Sequence, residues 1–252
     1  MFHSARMGRF VVALGLGLGC VGMTSNAHAG FILSAEASGI QESQVTGVTT
    51  ETFNTIAAKK YTSLNTAVGT ITSDAIAIQA ADSYGGAGGK GRYAAIGAQS
   101  GTLSATLTLT KAASYFGFWW SAADANNAID FLSGGKIVAS FSPATALSSL
   151  GSNYFGNPND GSDSSEKFAY LNVYGTDGST FDQVRFSNAT AGSGFESDNW
   201  SIRTTAVTTG YSGTVIQGAV VGAVPEPASL VLIATGTLGL IGTQLRFRRK
   251  TA

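Results

Sequence analysis

Leu103, Ala105, Leu107 and Leu109 alternate with Thr102, Ser104, Thr106, Thr108 and Thr110, the period-two pattern of a strand with one buried face. Shorter runs rich in aromatic and β-branched residues predict further strands over Ser114–Trp120, Ala128–Leu132, Ile137–Phe141, Phe168–Tyr174, Phe181–Phe186 and Phe195–Ile202. Val45–Phe53 and Tyr61–Ile71 also read as strands, while Ala75–Ala81 fits either strand or helix. Ser133-Gly134-Gly135 predicts a hairpin between two of these runs. One soluble helix is expected near Pro143–Leu150. Many short strands with turn chemistry between them predict an all-β fold, an antiparallel β-sandwich of jelly-roll-like form.

The pattern changes at both ends. Arg6 and Arg9 precede an apolar run, Phe10–Met23, and Ala27-His28-Ala29 offers a small-x-small cleavage site. Residues 1–29 therefore read as a secretory signal peptide, with Gly30 the first mature residue. Lipidation at Cys20 is the weaker alternative, because Gly17 stands where such a site usually has Leu. At the other end, Pro225-Glu226-Pro227 leads into an uncharged stretch, Ala228–Leu245, and then the basic residues Arg246, Arg248, Arg249 and Lys250. Those 18 residues span roughly 27 Å as a helix, close to one hydrocarbon core, and the basic cluster forms a cytoplasmic stop.

This order of Pro-Glu-Pro, apolar span and basic terminus resembles the PEP-CTERM sorting signal of bacteria that carry an exosortase. The resemblance covers residues 224–252 and implies export, transient membrane anchoring and removal of the tail by the exosortase. It implies a bacterial envelope, cell-surface or extracellular-matrix location and carries no chemistry of its own.

Without its termini the chain loses most of its reactive side chains. Cys20, His3 and His28 all lie in the signal peptide, so the domain of residues 30–223 has neither Cys nor His. Ser-His-Asp and Cys-His nucleophilic sites, zinc or haem ligation by those residues, and disulfides are excluded there. Six of the 15 Lys and Arg and one of the 15 Asp and Glu belong to the termini, leaving nine and 14 and a net charge near −5. A sparsely charged acidic domain has no basic stripe with which to displace counterions, which argues against nucleic acid as a partner. About 194 residues suffice for one sizeable core.

A second resemblance lies inside the domain. Tyr84-Gly85-Gly86-Ala87-Gly88-Gly89, Tyr115-Phe116-Gly117-Phe118-Trp119-Trp120, Ala123-Asp124-Ala125-Asn126-Asn127, Phe131-Leu132-Ser133-Gly134-Gly135, Phe168-Ala169-Tyr170-Leu171-Asn172 and Gly194-Phe195-Glu196-Ser197-Asp198-Asn199 are similar, in that order, to segments of an exosortase-dependent family of bacterial surface proteins. The likeness covers about Asp82–Ile202 and implies an extracellular domain, not an activity.

Three features inside the domain carry candidate chemistry. Gly86-Ala87-Gly88-Gly89-Lys90-Gly91 satisfies G-x-G-x-x-G but lacks a surrounding βαβ unit, so a surface turn is expected rather than a phosphate cradle. In the aromatic strand, Phe116, Phe118 and Trp120 share one face and Tyr115 and Trp119 the other. One face fills the core; Trp119 on the other is the candidate platform for stacking a glycan ring. Oxygen ligands cluster at Asp124, Asn126, Asn127 and Asp130, at Asn157, Asn159, Asp160, Asp163 and Glu166, and at Glu196, Asp198 and Asn199. Calcium suits such ligands, with Asp198, Glu196 and Asp124 the proposed set; polar capping of strand ends, or a salt bridge from Arg185 or Arg203, is the alternative. The combined reading is a non-catalytic exported surface or matrix protein. A carbohydrate-binding module acting on extracellular polysaccharide and a secreted glycosidase or lyase are the rivals.

Overall fold

The computed structural model describes residues 30–208 and 210–217; the signal peptide, the sorting tail and its apolar span lie outside the described residues. The described chain is all-β. Its strands are β1 (Gly30–Ala35), β2 (Thr49–Glu51), β3 (Lys59–Asn65), β4 (Gly69–Ala80), β5 (Arg92–Gly97), β6 (Ser104–Ala113), β7 (Tyr115–Ala123), β8 (Asn127–Ser133), β9 (Lys136–Phe141), β10 (Lys167–Thr176), β11 (Phe181–Asn188), β12 (Gly194–Arg203) and β13 (Thr214–Val215). Helix is confined to one turn, Pro143–Ala146, and two short 3₁₀ segments, Ala87–Gly89 and Ser152–Tyr154. No helix among the described residues is long and apolar enough to cross a membrane.

One continuous antiparallel sheet takes the place of the two expected sheets. Its order is β13-β1-β10-β7-β12-β5-β4-β6-β11-β8-β9, with β2 added beside β12 and β3 beside β4. The long strand β4 joins the halves: Ala77–Ala80 pair with β5, whereas Gly69–Ile71 pair with β6. The sheet then folds over on itself. Phe116, Phe118 and Trp120 of β7 meet Phe131 of β8, Phe141 of β9 and Phe186 of β11 at ring separations of 5.9 to 6.5 Å for Phe116–Phe131, Phe118–Phe141, Phe118–Phe186 and Trp120–Phe141. Trp200 of β12 stacks on Phe186 at 4.6 Å across the same interior. Burial of these rings is the main term that opposes the chain entropy lost on folding.

The clearest periodic signals become strands as expected. Ala105, Leu107 and Leu109 are buried in β6, although Leu103 lies just before it and is half exposed. The β8–β9 hairpin turns through Gly134 and Gly135, both in the left-handed region at φ 57° and 77°, and Ser133 pairs with Lys136. Other expectations need correction. Val45–Phe53 contains only the three-residue β2. Tyr61–Ile71 is not one strand but the turn of the β3–β4 hairpin, closed where the Gly69 carbonyl accepts from the Thr66 N–H and hydroxyl. Of Ala75–Ala81, all but Ala81 falls in β4 as strand, and the helix near Pro143–Leu150 shortens to one turn.

Candidate functional site

The outer face of β7 and β12 carries most of the polar candidates, with loops laid across it. Glu196 and Asp198 project to this face from β12, where Glu196 lies opposite Ser121 and Asp198 opposite Trp119. The ladder shifts register between Asp198 and Ser201, and Asn199 takes φ 50°. That bulge turns Asn199 to the same side as Asp198, whereas a regular strand would have placed it opposite.

Although they share a face, Glu196 and Asp198 open into different hollows. One, of about 290 Å³, is bordered by Glu196, Asp124, Glu166, Gln99 and the half-exposed Tyr84. The other, of about 410 Å³, is bordered by Asp198, Asn199, Asn54, the 39–44 segment and the Gly-rich loop. The proposed calcium set is thereby split, with Glu196 and Asp124 in one hollow and Asp198 in the other. Each carboxylate is also engaged by the protein. Asp198 accepts from the Ala87 N–H at 2.8 Å and the Asn199 N–H at 2.6 Å, Glu196 from the Gln99 amide at 2.5 Å, and Asp124 from the Asn126 N–H at 2.6 Å. Among the described residues, no group of three or more Asp, Glu, His or Cys is arranged to hold a metal ion.

The expected basic partners are elsewhere. Arg185 forms a two-pronged pair with Asp130, at 3.1 Å from Nε and 2.6 Å from its terminal nitrogen, and Arg203 reaches Thr205 and the Thr46 carbonyl. With no ion pair to them among the described residues, Glu196, Glu166 and Asp198 are held toward their neutral forms. Burial, with smaller contributions from Glu166, Asp124 and Asp82, pushes Glu196 up to about 8. Burial first, and then the neighbouring Asp163 carboxyl, push Glu166 up to about 8, and burial pushes Asp198 up to about 7 against its two backbone donors.

Trp119 is not an exposed platform. It is 1% exposed and packs on Phe168 at 5.9 Å, with Ala122 and Tyr170 beside it and Ala87 of the Gly-rich loop against the cluster. Both faces of β7 are buried, one by the core and one by loops. Tyr115 likewise is enclosed, donating to Asn172 Oδ1 at 2.7 Å; the Asn172 amide in turn donates to Glu36 at 2.9 Å.

The Gly-rich loop is a lid on this face and not a phosphate cradle, because its amides are already taken. The N–H groups of Ala87, Gly88 and Gly89 donate to Asp198, to Gln41 Oε1 and to the Gly86 carbonyl. Gly91, at φ 81°, is required twice over, since a Cβ there would run into Asn54 Oδ1. The remaining oxygen clusters cap turns. Asn127 accepts from the Trp120 indole at 3.1 Å and donates to the Gly194 carbonyl at 2.7 Å. Asn157 accepts from the Asn159 N–H and donates to the Ser83 carbonyl; Asp160 accepts from Ser162.

Several participants carry no local sequence signal. Gln41 ties the 39–44 segment to the Gly-rich loop and to Asn159 at 3.0 Å, and Gln99 is the partner of Glu196. Glu51, buried, holds the Phe53 and Ala67 N–H groups at 2.6 and 2.8 Å. Each is an ordinary polar residue in a polar stretch, and its role depends on a distant segment.

Comparison with known proteins gives one family match, a model described as the PEP-CTERM protein-sorting motif, over residues 223–250. No curated protein and no solved structure matches the chain. The match begins one residue before Val224-Pro225-Glu226-Pro227 and ends on Lys250, so it spans the motif, the apolar stretch and the basic cluster read from the sequence. The chain therefore carries a PEP-CTERM protein-sorting motif at its C-terminal end, the signal of an exported bacterial protein bound for the cell surface.

Proposed function

We propose that this protein is a non-catalytic component of the bacterial outer envelope or extracellular matrix, delivered there by exosortase processing of its tail. The single observation that carries the reading is the sorting motif at residues 223–250. In this reading residues 1–29 direct export, and Ala228–Leu245 holds the chain briefly in the membrane. Arg246, Arg248, Arg249 and Lys250 keep the end of the tail in the cytoplasm. Cleavage near Pro225-Glu226-Pro227 then releases the β-domain. A structural role is supported by the domain's chemistry: the Gly-rich loop has its amides occupied, Trp119 is covered, and residues 30–223 hold no His or Cys.

The test is localisation in an exosortase-bearing host. Wild-type protein should reach the surface or medium, while the chain with Arg246, Arg248, Arg249 and Lys250 all replaced by Gln should be processed less and mislocalised. Equal surface delivery of the two would overturn the sorting role given to the basic cluster.

One observation favours a second reading, a secreted glycosidase. Asp124, Glu166 and Glu196 border one hollow beside Tyr84, and two of the three are held near neutrality, as a general acid must be. Turnover of a soluble polysaccharide that disappears in Glu196→Gln would select that reading over the structural one.

A further inference from the structure

The larger hollow lies at the junction of three segments that the fold brings together from far apart. The 39–44 segment forms one wall, the turn Ala87–Gly89 another, and the bulge of β12 the floor. Polar bonds fix this junction: Asn199 donates to the Gln41 carbonyl at 2.7 Å, Gly88 to Gln41 Oε1 at 2.7 Å, and Ala87 to Asp198 at 2.8 Å. The walls are therefore held in place by contacts that run across the sequence, and the cavity of about 410 Å³ is a formed feature of the fold. Its size falls in the range of small-molecule sites, which span roughly 300 to 1,000 Å³.

The lining selects a class of ligand. Neither Lys nor Arg borders the hollow, and both Asp198 and Glu42 do, so an anion would meet unfavourable charge. Ile40 is its only large apolar side chain, which leaves little to reward a hydrophobic molecule. Of the four amides on the lining, Gln41 is taken up by Gly88 and Asn159, while Gln44 Oε1, Asn54 Nδ2 and Asn199 Oδ1 keep hydrogen-bonding capacity for a ligand. Asp198 is 2% exposed and already accepts two backbone N–H bonds, and burial holds its carboxyl up to about 7; such a group is a poor counter-ion for a cation but a good partner for a hydroxyl. Amide donors and acceptors beside a carboxyl already satisfied by backbone N–H groups suit vicinal hydroxyl groups, with the Glu42 carboxylate out on the exposed rim.

We infer that the hollow between the 39–44 segment, the Gly-rich loop and the β12 bulge binds a neutral, polyhydroxylated ligand of mono- or disaccharide size. Gln44 supplies an amide contact from the 39–44 wall, and Asn199 and Asp198 meet hydroxyls from the floor. Binding here needs no exposed aromatic ring and does not depend on how the tail is processed, so it stands apart from the sorting reading.

The test uses the processed protein released by its host, with saturation-transfer NMR against glucose, galactose, N-acetylglucosamine and cellobiose at millimolar concentration. Glucuronate and putrescine serve as anionic and cationic comparisons. Gln44→Ala trims an exposed side chain and is the primary variant; Asn199→Gly keeps the left-handed backbone but removes the bond to the Gln41 carbonyl along with the amide, so it is read beside the first. The expected result is transfer to at least one neutral sugar, weakened about tenfold or more in both variants while their melting temperatures stay close to wild type. If Asn199→Gly melts early, Gln44→Ala alone decides: weakened transfer supports the inference and unchanged transfer overturns it. Absence of transfer to every neutral sugar, stronger transfer to glucuronate or putrescine, or equal binding by well-folded variants would each overturn the inference.

Discussion

Glu196 gives the sharpest test of the electrostatics on the outer face. It is 3% exposed, its one donor is the Gln99 amide, and no basic residue lies against it among the described residues. Its carboxyl is pushed from 4.5 up to about 8 in the folded chain, chiefly by burial. Between those values the folded state holds a proton that the unfolded state has lost, so stability is full below about pH 4.5 and is lost as pH rises through 8. Each pH step of one across that window costs about 1.4 kcal/mol per proton, and the whole window at most about 4 to 5 kcal/mol. Glu196→Gln keeps the shape and the bond from Gln99 but cannot ionise. Urea melts from pH 5 to 9 should show wild type losing stability steadily, with the variant similar at pH 5 and clearly more stable at pH 8.5. Glu166 and Asp198 shift in the same direction and leave the variant a residual slope. Parallel wild-type and variant curves, or wild-type stability that rises toward pH 8, would refute the reasoning.

Other perturbations test the packing. Trp119→Ala and Trp120→Ala should each cost about 3 to 5 kcal/mol in denaturant melts, because loops bury one ring as fully as the core buries the other; a small loss at Trp119 would mean the Gly-rich loop does not cover it. Arg185→Ala should cost about 3 kcal/mol by leaving Asp130 buried without its counter-charge, and the double variant with Asp130→Asn should recover part of that in the same melts. Since Asp198, Glu196 and Asp124 are divided between two hollows, calorimetry should give the same melting temperature in millimolar calcium and in chelator; a rise with calcium would contradict the assignment.

What could be read from the sequence was local. The Leu-Thr alternation of β6 and the Gly134-Gly135 turn need only neighbouring residues, and both appear as expected. The strand β5 was missed because Ala94 and Ala95 are too small to mark an inward and an outward face, although both are buried. The β3–β4 turn was hidden because Val68 and Ile71 continue an apolar run through it. Site chemistry failed for a different reason. The burial of Trp119 is set by Ala87 and Phe168, Arg185 is drawn to Asp130 by the β8–β11 pairing, and the orientation of Asn199 is set by a bulge. None of these long-range pairings leaves a local pattern. The sorting motif was legible because Pro225-Glu226-Pro227, the uncharged stretch and the basic cluster are contiguous in sequence and need no distant partner.

The central claim is that the C-terminal motif is a processing signal, and intact-mass measurement of the protein released by an exosortase-bearing host tests it most directly. A mass beginning at Gly30 and ending near Pro225-Glu226-Pro227 is the expected result. A released protein whose mass still includes Phe247–Ala252 would contradict it.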